Sequence, residues 1–67
     1  MKFELSLYNK IDGKMVSAYG LKNLNEGEFR RRINSLVKRH DLSLSYKSED
    51  KLVYKKTTMS LVGTIYD

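Results

Sequence analysis

Between Asn25 and His40 the chain carries an apolar stripe at helical spacing, and on both sides of it apolar residues alternate with a period of two. A chain patterned this way buries its apolar groups most simply as one helix laid across a sheet, the α+β arrangement. The helix start is well signalled. Asn25 can cap, Glu28 three residues later completes a capping box, and Leu24 and Phe29 have the spacing of a hydrophobic staple. Glu26 and Glu28 suit the positive end of the helix dipole, while Lys38, Arg39 and His40 suit the negative end. Gly27 is a poor helix former, but close to the N-terminus its cost is small. These signals predict a helix over residues 26–39.

Residues 2–8, Lys-Phe-Glu-Leu-Ser-Leu-Tyr, place Phe3, Leu5 and Leu7 on one face of a strand. Asp12-Gly13 follows, a pair that tolerates the positive φ angles of a type I′ turn, so a β-hairpin is expected. With that two-residue loop, Leu7 faces Ala18 and Leu5 faces Gly20, and a one-residue slip would reverse the assignment. After the helix, Leu42, Leu44 and Tyr46 alternate with serines in a third strand, and Ser48-Glu49-Asp50 reads as a turn. A fourth strand begins at Leu52, with Tyr46 opposite Leu52 and Leu44 opposite Tyr54. Inward positions are even at Leu52 and Tyr54 but odd at Met59, Leu61 and Ile65, so a bulge or turn must fall within Lys55 to Thr58. A fifth strand is expected over residues 59–66.

The expected fold is therefore a single α+β domain spanning residues 1–67, with one helix on a mostly antiparallel sheet of four or five strands in the order ββαββ(β). Its core is assigned to Phe3, Leu5, Leu7, Val16, Leu24, Phe29, Ile33, Leu36, Val37, Leu42, Leu44, Met59, Leu61 and Ile65. The opposite sheet face, with Ser6, Ser43, Ser45, Ser60 and Thr64, is small and polar. Each of the five tyrosines is expected in cross-strand packing, with Tyr46 and Tyr54 on the core side.

A chain this short buries only about 60% of its unfolded surface. It has no Cys, so neither a disulfide nor a thiolate metal site can staple it. The apolar run from Met59 to Tyr66 gives it reason to form a homodimer through a sheet edge. The N-terminal segment alternates and contains Glu4, unlike a signal peptide, and no run approaches the eighteen or so apolar residues of a membrane span. A soluble, cytoplasmic protein without membrane contact is expected.

Catalytic chemistry has little to work with. His40 is the one imidazole and lies within about 20° of Phe29 on the helical wheel, beside the packing face. Asp12, Glu49 and Asp50 fall in turns without the ligand spacing of a calcium loop. The four glycines are too far apart for a phosphate-binding loop. No enzymatic activity, catalytic residue, cofactor or metal is expected.

The charge pattern is more informative. Lys and Arg total 13 against 8 acids, and the whole excess of +5 lies in Arg30, Arg31, Arg32, Lys38 and Arg39, a stretch with no acid. With Phe29 at 0°, the stripe Ile33, Leu36 and Val37 spans about −20° to 80°, and Lys38, Arg31, Arg39 and Arg32 fall between about 180° and 300°. Arg suits phosphate because its planar fork donates two hydrogen bonds together. An amphipathic helix packed on a sheet must also be polar outside, and a solvated charged face meets that need equally well. The leading expectation is a small basic binding module contacting DNA or RNA phosphates through Arg31, Arg32, Lys38 and Arg39, assisted by Lys55 and Lys56. The alternative is a protein-binding inhibitor or adaptor that meets an acidic protein surface, such as a phage or mobile-element product acting on a host enzyme.

Overall fold

In the computed structural model, which describes residues 1–66, one helix lies across one face of a five-stranded antiparallel sheet. The elements follow the expected sequence: β1 (Lys2–Ile11), β2 (Lys14–Leu24), α1 (Glu26–His40), β3 (Ser43–Lys47), β4 (Lys51–Lys56) and β5 (Met59–Tyr66). In space the strands run β2-β1-β5-β4-β3. The turn between β1 and β2 is Asp12-Gly13, with φ of 50° and 78°, the two positive values of a type I′ hairpin. Thr57-Thr58 connects β4 to β5, inside the window that the change of parity demanded.

The β5 strand is central. It pairs along its length with β1 on one side and through residues 59–64 with β4 on the other, so most of the Met59–Tyr66 run has no free edge to offer a second subunit. The outer strands are β2 and β3. Both carry irregularities of the kind that blunt sheet edges.

In β2 the hairpin register holds as far as Tyr8↔Ser17 and then slips, so Leu7 faces Tyr19 and Leu5 faces Leu21 instead of Ala18 and Gly20. Ala18 is the extra residue. A second shift sets Lys22 and Asn23 against Glu4, with Asn23 at φ 57°. The cause lies in β2 itself, whose apolar side chains change parity from Val16 to Tyr19 and Leu21 and again to Leu24. Each bulge turns the next of them to the helix side. In β3 the same device acts at Ser45, so Tyr46 pairs with Val53 and not with Leu52. Tyr46 consequently leaves the core side expected for it.

The core consists of Phe3, Leu5, Leu7, Leu24, Phe29, Ile33, Leu36, Leu42 and Leu61, with Val37, Met59 and Ile65 packed at its margin. Two expected members fail to join it, since Val16 is 46% and Leu44 54% exposed. The reason is width. A helix about 10–12 Å across covers little more than two strands about 4.8 Å apart, and α1 sits over β1 and β5. Val16 on β2 and Leu44 on β3 lie beyond its reach.

Helix and sheet meet closely at Gly63. A Cβ built there would stand 2.6 Å from Phe29 Cζ and 3.3 Å from Ile33 Cδ1, so only glycine lets Phe29 settle onto β5. The Phe29 ring is held from the side by Phe3, with centroids 4.9 Å apart and planes inclined at 43°.

The other face of the sheet is not covered by α1. Cross-strand pairing arranges it in rows, one running Gly20, Ser6, Val62, Val53, Tyr46 and the next Ser17, Tyr8, Ser60, Lys55, Ser43.

Candidate nucleic-acid interface

The helix that displays the cations is fixed at both ends. Asn25 adopts the extended conformation of a cap, and its Oδ1 accepts a hydrogen bond from the Glu28 amide at 2.9 Å. The reciprocal arm of the box is altered. The Glu28 carboxylate accepts from the Asn25 side-chain amide at 3.3 Å instead of turning to the backbone. The helix runs one residue beyond expectation, to His40, where Asp41 in the left-handed conformation (φ 54°) ends it and Leu42 donates to the Val37 carbonyl at 3.0 Å. His40 is half-buried. Phe29, Ile33 and Leu36 pin the inner face, so the outer face cannot rotate.

Arg31, Arg32, Lys38 and Arg39 are all exposed on that outer face. Arg30 lies on the other flank and meets Glu26 at 3.4 Å. Arg32 stands 3.9 Å from Glu28, beyond hydrogen-bond length, and an exposed pair of this kind contributes little. Arg31 donates through Nε to the Gly27 carbonyl at 3.4 Å. Among the described residues, Arg31, Lys38 and Arg39 take part in no ion pair.

Ser35 lies at the centre of the group. Together with Glu28, Arg31 and Arg32 it lines a shallow depression, and with Tyr19, Arg32, Leu36 and Arg39 it lines a second one on the side of β2. The hydroxyl of Ser35 and the surrounding guanidinium groups can donate to the oxygens of one phosphate. Tyr19 belongs to this surface only because the bulge at Ala18 turns it to the helix side. The apolar parity change within β2 was the signal that could have revealed it.

Lys55 and Lys56 do not extend the patch as one surface. Lys55 pairs with Ser60 and therefore lies on the sheet face turned away from α1, while Lys56 pairs with Met59 beside the β4–β5 turn. The six cations form a compact group of four on the helix and two separate positions on β4.

On the opposite flank of α1 a groove of about 340 Å³ opens over β4, with Phe29, Ile33, Leu52 and Tyr54 in its floor and Glu26, Arg30, Lys47 and Glu49 among its rim. Acids and bases balance there. On the far sheet face Tyr66 has its pKa raised, chiefly because the negative charge of Glu4 lies beside it, with smaller effects from burial and from a hydrogen bond to Glu4. Among the described residues no group of three His, Asp or Glu side chains is placed to hold a metal, and no helix is long and apolar enough to cross a membrane. Comparison with protein families, curated proteins and solved structures finds no match to this chain.

Proposed function

We propose that this chain is a small non-enzymatic binding module of the cytoplasm that grips nucleic-acid phosphates through the outer face of α1. The observation that supports this reading is the concentration of the chain's +5 excess on one fixed helix, where among the described residues Arg31, Lys38 and Arg39 form no ion pair around Ser35. Arg31 and Arg39 are eight residues apart, about 12 Å along the axis. That length and the girth of a helix suit a major groove about 12 Å wide. The guanidinium groups of Arg31, Arg32 and Arg39 suit phosphate oxygens, contacts that position a protein on the nucleic-acid backbone.

Anisotropy titrations with a short duplex at several salt concentrations test this. Four phosphate contacts give a slope of log K against log salt near −3.6. The double variant Arg31→Glu/Lys38→Glu is expected to abolish binding with an unchanged circular dichroism spectrum. Lys14→Glu/Lys51→Glu alters net charge equally but away from the helix, and is expected to retain most of the affinity. Equal losses in both variants mean bulk attraction and no site. Absence of salt-dependent binding at low ionic strength refutes the reading and favours the second one, an inhibitor or adaptor docking on a protein, for which the apolar groove beside Phe29 and Tyr54 offers a seat.

A further inference from the structure

The sheet face turned away from α1 combines aromatic groups, small residues and unpaired cations. Tyr8 sits between two serines, Ser17 and Ser60. Although no layer covers this face, Ser60 is only 7% exposed, and its cross-strand neighbours are Tyr8 on one side and Lys55 on the other. Tyr8 is half-buried beside Ser60, so part of its ring is open to solvent on this face. Tyr46, carried to this side by the bulge at Ser45, stands beside Val53 at 54% exposure. Three strand spacings, about 14 Å, separate the strands that carry the two rings, with the low ground of Ser60, Val62 and Val53 between them.

The charge on this face is positive. Among the described residues of this face, Lys2, Lys10, Lys51 and Lys55 stand against the carboxylate of Glu4, and none of the four lysines forms an ion pair. Ring faces among cations suit unstacked bases on a polyanion, and duplex bases stacked on one another cannot use them. The hydroxyls of Ser6, Ser43 and Thr64 on the same face can exchange hydrogen bonds with ribose 2′-hydroxyls, which DNA lacks.

We propose that this face is a platform for single-stranded RNA, with bases stacked on Tyr8 and Tyr46 and phosphates held by the lysines around them. The site is on the far side of the sheet from the basic helix and does not depend on it.

The full chain has five tyrosines and no tryptophan, so its emission reports directly on stacking. Titration with a single-stranded RNA of about eight nucleotides is expected to quench that emission saturably. Tyr46→Ala is expected to weaken binding roughly 5- to 150-fold. Tyr8→Leu keeps an apolar cover over Ser60 and is expected to do the same without loss of fold, as followed by circular dichroism. Lys55→Ala is expected to make the salt slope shallower by about 0.7. Arg31→Glu/Lys38→Glu is expected to weaken RNA binding only through the general loss of positive charge and to keep the saturable tyrosine quenching, which separates this site from the helix. Loss of RNA binding in that helix variant, with no effect of Tyr46→Ala, overturns the platform. Equal affinity for DNA of the same sequence overturns the assignment to RNA. No RNA binding at low salt overturns the proposal and leaves the face to a protein partner.

Discussion

Replacing Gly63 by alanine tests how α1 reaches the sheet. The added methyl carbon would stand 2.6 Å from Phe29 Cζ and 3.0 Å from Cε1. That is roughly 1 Å inside the 3.5–4.0 Å optimum for carbon pairs. The ring cannot swing aside cheaply because Phe3 packs against it at 4.9 Å, and the Ile33 side chain closes the other approach at 3.3 Å. Overpacking of this kind costs about 1–3 kcal/mol, offset by about 0.4–1 kcal/mol from the stiffer unfolded chain. The expected net loss is about 1–2 kcal/mol, a fall in Tm of very roughly 4–16 °C for a domain of this size. Gly20 is the control, also in a strand, where a Cβ would meet nothing nearer than 3.7 Å. Gly20→Ala is expected to be neutral or to stabilise by about 0.5 kcal/mol. Thermal and urea unfolding followed by circular dichroism measure both. Combining Gly63→Ala with Phe29→Leu is expected to cost less than the sum of the single losses by about 1 kcal/mol, because the two changes share one space. A Gly63→Ala protein that melts with the wild type, or a double variant whose losses simply add, refutes the close approach.

Asn25→Ala removes the acceptor of the Glu28 amide and is expected to cost roughly 1 kcal/mol, seen as a Tm lower by several degrees; an unchanged melt would mean that the cap contributes nothing. Tyr66 holds its proton more tightly when folded than the ordinary tyrosine value of about 10, so its contribution to stability is fully present below that pH and is lost as pH rises above it. Glu4→Gln removes the main cause of the shift, and ultraviolet titration is expected to show the raised phenol moving back toward the ordinary value.

The elements were legible because each carries a local signal. Asp12-Gly13 can take two positive φ angles, and Asn25 with Glu28 marks the helix start within one turn. The parity change between Tyr54 and Met59 located a turn that the structure places at Thr57-Thr58. The same reasoning applied to Val16, Tyr19, Leu21 and Leu24 would have found both bulges of β2. What no local signal contains is the order of the strands. Putting β5 between β1 and β4 is a long-range choice, and it removes most of the Met59–Tyr66 run from any edge.

The candidate sites divide along the same line. A helical wheel fixes Arg31, Arg32, Lys38 and Arg39 relative to Phe29, because all five belong to one rigid element. It says nothing of Lys55 or Tyr19, whose faces depend on registers set elsewhere in the sheet. One inserted residue inverts everything beyond it in a strand, so Ser45 decides that Tyr46 faces solvent opposite the helix and Ala18 decides that Tyr19 joins the arginines. The two bulges therefore sort the tyrosines between the two basic surfaces, one ring to the helix side and one to the open sheet. Deleting Ser45 removes the extra residue and leaves Leu44 opposite Tyr54 and Tyr46 opposite Val53 in regular pairing, so Tyr46 is expected to stay on the open sheet face. Single-stranded RNA is therefore expected to quench the deletion variant as it does the parent, with every cation of α1 still in place, and lost quenching would refute this register.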